Sequence, residues 1–248
     1  MKIVGVIPAR YKSTRFPGKP LIHILGTPMI VRVAKIVEKA LGRENTYIAT
    51  DDERIKQVVE SFGFKVIMTP ETCLTGTDRV YEFSKIIKAD IYINVQGDEP
   101  LLNYVDIIKI AEAKKQNFES VINGMCKISE NENPDNINIP KVLVNRENKL
   151  IYMSRLAIPG TKDKREKDLP TYFKQVCIYG FSEKDLKMFG STNNKAFYER
   201  YEDIEILRFF DFCTPILMVQ TSGSSLAVDV PEDVEIVERE ILKKRIHD

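Results

Sequence analysis

Tryptophan is absent from this 248-residue chain, and histidine occurs twice, as His23 and His247. With so few imidazoles, chemistry built on a histidine base or a serine–histidine–acid triad has almost no candidate. Cysteine is sparse as well. Cys73, Cys126, Cys177 and Cys213 lie far apart without a C-x-x-C pair, which argues against a structural zinc site. They are expected to be reduced, partly buried thiols of a cytoplasmic protein. No run approaches the ~18 apolar residues needed to cross a bilayer, so no membrane partner is expected. The opening Met1-Lys2-Ile3-Val4-Gly5-Val6-Ile7-Pro8 has too short an apolar run for a secretory leader and reads as a first strand. A net charge of +1 lacks the basic excess of a nucleic-acid binder. What remains is chemistry run by carboxylates, lysine and arginine, with or without a metal ion.

The first two-thirds of the chain alternates strand and helix patterns. Apolar runs at 2–7, 47–50, 64–67 and 90–95 read as buried strands. Helical spacing predicts helices over 28–40, 53–61, 79–88 and 103–115, with Pro28 suited to a first turn and Asp51-Asp52 to a cap. Further on, 120–128, 141–153, 173–181 and 215–220 read as strands, and 183–189, 198–211 and 231–245 as helices. The stretches 129–139 and 160–171 read as polar, exposed loops. This β-α-β rhythm predicts an α/β fold: a mixed, mostly parallel sheet with helices on both faces, and a smaller β-rich portion over 120–182. In such sheets ligands bind beyond the carboxyl ends of the strands. The loops 8–20, 69–78 and 96–100 all follow strands and are expected to gather on that edge.

The first of these loops carries Arg10, Lys12, Arg15 and Lys19, interleaved with Ser13, Thr14, Pro17 and Gly18. Such a loop suits a polyphosphate, because arginine forks grip phosphate oxygens and glycine admits the backbone. A solvated basic loop has the same composition, and the segment is not a Walker A motif. Asp98, in Gln96-Gly97-Asp98-Glu99-Pro100, is either a turn residue or a carboxylate for Mg²⁺ beside a phosphate. Asp229 is either the N-cap of the last helix or a second metal carboxylate. Thr75-Gly76-Thr77-Asp78-Arg79 could read a base or ribose, or simply start a helix.

Taken in order, these segments form a resemblance. Ile7-Pro8-Ala9-Arg10, Ser13 through Leu21, Ala49-Thr50-Asp51, Gly76-Thr77-Asp78-Arg79 and Asn94 through Pro100 resemble the successive motifs of the 3-deoxy-manno-octulosonate (Kdo) cytidylyltransferases. Ser154 through Pro159, Ile178-Tyr179-Gly180, Glu199 through Arg208 and Val228 through Asp233 continue the match over essentially the whole chain. The resemblance implies a single nucleotidyltransferase domain over 1–248. Its parts 1–119 and 213–248 would mainly hold CTP and metal, and 120–212 would mainly serve the acceptor and dimerisation.

The implied reaction joins CMP from CTP to a sugar acid and releases pyrophosphate, with Mg²⁺ neutralising developing charge. Arg10, Ser13, Arg15 and Lys19 would hold the triphosphate, with Arg10, Lys19 and Asp98 at the reaction centre. Thr77 and Arg79 would lie on the nucleoside side, and Asp98 and Asp229 would bind Mg²⁺. Gln96, Arg155, Tyr179 and Glu202 would face the sugar acid, Arg155 pairing with its carboxylate, and Gln175 is counted with them. A homodimer, with 173–181 and 197–212 as interface elements, and a role in lipopolysaccharide or another glycan are also implied.

The departures fall in the acceptor half. Gln175 stands for a family histidine, Phe181 for a tyrosine and Gly160 for a large aromatic, and the Asn133-Pro134 loop is about two residues longer than is typical. They predict either tolerated drift or an acceptor other than Kdo: 8-amino-Kdo, another sugar acid or a phosphonic acid. Rival readings are a nucleotidyltransferase using UTP or GTP and a non-catalytic nucleotide-binding protein.

Overall fold

The computed structural model describes residues 1–12, 16–130, 132–162, 170–223 and 226–247. In chain order the elements are β1 (Ile3–Ala9), β2 (His23–Ile24), β3 (Thr27–Pro28), α1 (Met29–Leu41), β4 (Thr46–Thr50), α2 (Glu53–Ser61), β5 (Lys65–Met68), α3 (Gly76–Ile86) and β6 (Ile91–Val95). They continue with α4 (Tyr104–Gln116), β7 (Val121–Lys127), β8 (Lys141–Val144), β9 (Leu150–Ser154), β10 (Phe173–Ser182), α5 (Glu183–Phe189), α6 (Phe197–Glu202), β11 (Ile216–Gln220) and α7 (Asp233–His247). Short 3-10 turns occupy Lys19–Leu21 and Arg43–Asn45, and a longer 3-10 helix runs over Glu205–Phe212.

The main sheet has the order β11-β7-β10-β6-β1-β4-β5. β10 pairs antiparallel with both neighbours, and every other pairing along this path is parallel. The mixed, mostly parallel sheet is therefore as expected. The β-rich stretch 120–182 divides, however. β7 and β10 are built into the main sheet, and only β8 and β9 branch off, through the pairing of β8 with β10. The physical reason is burial: β7 and β10 are apolar enough on both faces to be covered by helices.

Side-chain alternation along β1 explains the two layers. Ile7 and Ala9 face a core formed with α1, α2 and α4 through residues such as Val33, Val59 and Ile110. Val4 and Val6 face a second core with α3, α5 and the 3-10 helix, through Phe83, Leu186 and Phe209. The parallel strands β1, β4 and β6 end at Ala9, Thr50 and Val95, so their loops meet on one edge. All four cysteines are free, and burial pushes the Cys126 thiol up to about 11.

The helix predicted over 198–211 is broken. α6 stops at Glu202, Asp203 turns left-handed at φ 51°, and the chain resumes as the 3-10 helix. The break turns Arg208 inward, where it is 1% exposed. Its Nε and Nη2 donate to the two Glu199 carboxylate oxygens, each at 2.7 Å. Nη1 and Nη2 donate to Asp78 at 2.7 and 3.2 Å, and the guanidinium lies 3.7 Å from the Phe189 ring centre. Asp78 is also the partner of Thr75 in the capping box that starts α3. One buried arginine thus ties the start of α3 to α6.

Removing one member of such a network leaves the others charged and buried. Arg208→Met is expected to lower unfolding free energy by about 3–5 kcal/mol. Urea denaturation checks this, and a loss below about 1 kcal/mol would show that the network is not the anchor described.

Candidate active site

At the carboxyl edge of the sheet lies an open cavity of about 220 Å³. Ala9 and Arg10 enter from the end of β1, Lys19 and Pro20 from the first 3-10 turn, and Thr75, Gly76 and Arg79 from the start of α3. Gln96, Gly97 and Asp98 follow β6, and Asp229 precedes α7. Chain topology gathers these residues because parallel strands end together.

Lys19 sits at the centre. Its ammonium donates to Asp98 Oδ2 at 2.7 Å and to the Val228 carbonyl at 2.9 Å, and lies 3.7 Å from Asp229 Oδ1. A backbone bond from Val228 N to the Asp98 carbonyl, 3.0 Å, joins the two carboxylate-bearing segments. Asp229 is not the helix cap. The Asp233 carboxylate instead accepts from the Asp229 and Val230 amides, leaving the Asp229 side chain on the cavity.

The opposite wall is tied together by hydrogen bonds. Arg79 is 3% exposed and donates to Thr69 Oγ1 at 2.6 Å and Asp51 Oδ2 at 2.8 Å. Of the Asp51-Asp52 pair, Asp52 caps α2 by accepting from Arg54 N, while Asp51 holds this arginine. Gln96 Nε2 donates to Glu205 Oε1 at 3.0 Å, and Glu205 Oε2 accepts from Thr77 N at 3.0 Å. A Cβ on Gly76 would stand 2.6 Å from Gln96 Nε2, so a larger residue there would push the Gln96 amide aside.

The arrangement is a cleft with cationic side chains at one end, two carboxylates flanking a lysine, and an amide fixed by a carboxylate beyond. Comparison with known proteins shows the family. A family model described as Cytidylyltransferase matches residues 4–214.

The chain belongs to the cytidylyltransferase family.

It is 41% identical over 241 residues to a 3-deoxy-manno-octulosonate cytidylyltransferase of Solibacter usitatus, covering 96% of this chain and 94% of the relative. It is 36% identical over 244 residues to an 8-amino-3,8-dideoxy-manno-octulosonate cytidylyltransferase of Shewanella pealeana, covering 96% and 98%. A solved CMP-2-keto-3-deoxy-manno-octonic acid synthetase complexed with CTP superposes with a TM-score of 0.89 at 34% identity, covering 98% of this chain and 100% of that one.

Of the residues singled out in the sequence, this cytidylyltransferase brings Arg10, Lys19, Arg79, Gln96, Asp98 and Asp229 to one cavity. Ser13 and Arg15 lie outside the described residues. Thr77 is 1% exposed and accepts from Asn94 through its hydroxyl, so its neighbours Thr75 and Gly76 line the cavity instead. Arg155 does not line it. Its guanidinium donates to the carbonyls of Ile137, Glu202 and Asp203 and is used to hold loops together. Glu202 accepts from Ser154, Tyr152 and the Arg155 amide, and so fastens the end of β9.

Tyr179 is 3% exposed and accepts from Gln175 Nε2, which also donates to Asn123 Oδ1. Burial pushes the Tyr179 hydroxyl well above its ordinary value. Sequence reading did not single out Glu205, the carboxylate that holds Gln96 and the Thr77 amide behind the cavity. Glu199, Glu202 and Glu205 are spaced by three, so an unbroken helix would put all of them on one face. The left-handed Asp203 separates them, and nothing in the spacing shows that.

Burial pushes the Glu205 carboxyl above the usual carboxylate range, opposed by the Thr77 amide and the threonine hydroxyls. A raised native value means that the folded chain holds this proton to higher pH than the unfolded chain. Glu205 therefore favours folding at low pH, and its contribution falls as pH rises from the ordinary carboxylate value through the native one. Glu205→Gln is expected to remove that part of the slope. Urea denaturation of both proteins across this window checks it, and parallel stability curves would contradict it.

Proposed function

We propose that this cytidylyltransferase transfers CMP from CTP to the anomeric hydroxyl of a 3-deoxy-2-ulosonic acid, either Kdo or its 8-amino variant. The observation that carries this reading is the Lys19 ammonium set between Asp98 and Asp229 at the carboxyl edge. A triphosphate needs fixed cations, and an in-line displacement at phosphorus needs them before the charge moves. Arg10 and Lys19, with Ser13 and Arg15 of the same loop, are assigned to the triphosphate. Thr75, Gly76 and Arg79, with Thr77 behind them, are assigned to the nucleoside side, and Gln96 to the acceptor. The acceptor oxygen forms a bond to the α-phosphorus, the bond to the bridging oxygen breaks, and pyrophosphate leaves while the hydroxyl proton is lost.

Mg²⁺ suits the donor set. It takes one or two carboxylates and completes its shell with phosphate oxygens and water. Asp98 and Asp229 are such a pair, both on the cavity, their side chains being 28% and 33% exposed. When bound, Mg²⁺ would neutralise charge on the phosphates.

The division of labour follows from the same cavity. Its lining comes from residues 8–98 and Asp229, which supports CTP and metal binding by 1–119 and 213–248. Residues 120–212 are left for the acceptor and self-association. Of the three substituted positions among the departures from the family pattern, Phe181 stacks between Tyr179 and Phe209 at 5.9 and 5.8 Å in the core. Gly160 is exposed with open space around it. Gln175 alone enters a polar network, so the choice of acid is assigned to its surroundings.

Self-association is assigned to α6 rather than β10, because β10 is paired on both edges. Phe197 and Tyr201 are 66% and 72% exposed, with ring centres 5.0 Å apart in a tilted contact, and such a patch suits a second copy of the chain. A cytoplasmic place follows from the use of CTP.

Pyrophosphate release with CTP, Mg²⁺ and either acid tests the reading, and turnover is expected with at least one of them. Faster turnover with UTP or GTP and a sugar phosphate would overturn it. Asp98→Asn is expected to cut kcat at least about a hundredfold while CTP still binds, measured by kinetics beside calorimetric titration. Retained turnover would remove Asp98 from the reaction. Tyr201→Glu is expected to yield monomers in sedimentation velocity where the parent chain sediments as a dimer. Equal sedimentation of the two would remove α6 from the interface.

A further inference from the structure

We propose that Arg54, which does not line the cavity, is a positioning residue for Arg10 and Lys19 and acts through the ring of Tyr11. Its kinetic consequence rests on the assignment of those two cations to CTP. Asp52 accepts from the Arg54 amide at 3.0 Å as the cap of α2. The same carboxylate takes the Arg54 guanidinium through Nε at 2.9 Å and Nη2 at 2.6 Å. This two-point hold fixes the plane of the guanidinium, whose central carbon lies 3.3 Å from the centre of the Tyr11 ring.

The ring is enclosed further by Gly18. A Cβ on Gly18 would stand 3.1 Å from the Tyr11 Cζ and hydroxyl, and its φ of +73° already favours glycine. Gly18 N donates to the Tyr11 carbonyl at 3.0 Å, closing the neck of the first loop. Tyr11 is the neighbour of Arg10, and Gly18 is the neighbour of Lys19. A clamp on this pair therefore sets where both cavity cations start. Asp51 fixes Arg79 on the opposite wall, so two consecutive carboxylates at the end of β4 set both sides of the cleft.

Arg54 is 58% exposed, and an ion pair so exposed adds little to stability. Its role is placement of two cations assigned to binding the triphosphate, so its loss is read in KM. In the protein without ligand, Arg54→Ala is expected to speed exchange of the Gly18 amide about tenfold while the melting temperature stays unchanged. Unchanged exchange overturns the clamp whatever the nucleotide does.

With CTP, KM is expected to rise about tenfold with kcat within about twofold, and Arg54→Lys should recover part of the loss. In a Tyr11→Leu background, Arg54→Ala is expected to add little. The same rise in KM there would mean that Arg54 acts by its charge at a distance, which also overturns the proposal. Faster exchange with unchanged KM supports the clamp and removes Arg10 and Lys19 from nucleotide binding, so the two readings fail separately.

Discussion

The guanidinium of Arg208 is enclosed by Glu199, Asp78 and the Phe189 ring, and the site depends on that enclosure. Asp78 belongs to the capping box of α3. The first turn of α3 supplies Thr75, Gly76 and Arg79 to the cavity. Three residues before Arg208, Glu205 takes the Thr77 amide and the Gln96 side chain. One short 3-10 helix thus fixes the start of α3 and the loop after β6 from the same side. A buried arginine is costly unless all its donors are used. Because they are used here, the geometry is held tightly.

On the other side of the cavity the constraint is electrostatic. Lys19 joins Asp98, Asp229 and the Val228 carbonyl. It connects segments that are more than two hundred residues apart in the chain. Two carboxylates around one ammonium carry a net negative charge, and Arg10 lies on the same cavity. On the proposed reading the pocket takes both a polyphosphate and a divalent cation, which requires the positive groups to be set before either arrives. The carboxylates at the end of β4 serve that placement through Arg79 and Arg54.

Much of the architecture was legible because its signals are local. The alternation of apolar runs with helical spacing predicts β1, β4, β5 and β6 within a residue or two. The basic residues after β1 and the carboxylate after β6 follow from their place at strand ends. The acceptor side was less legible for a definite reason. Arg155, Glu202 and Gln175 carry chemistry on paper, yet their polar groups are committed to carbonyls, hydroxyls and amides nearby. A charged side chain shows its type in the sequence but not its partner.

The sequence by itself determined the fold class and the strand edge to which Arg10, Lys19 and Asp98 come, since periodicity and strand-end position are properties of neighbours in the chain. Tertiary structure alone decided that Glu205 rather than Glu202 backs the cavity, that Asp233 rather than Asp229 accepts the amides ahead of α7, that Phe181 belongs to the core and that β10 is interior. Each of those outcomes depends on a contact between distant segments. The left-handed turn at Asp203, the antiparallel insertion of β10 and the aromatic stack across Phe209 are settled by packing, which no spacing along the chain encodes.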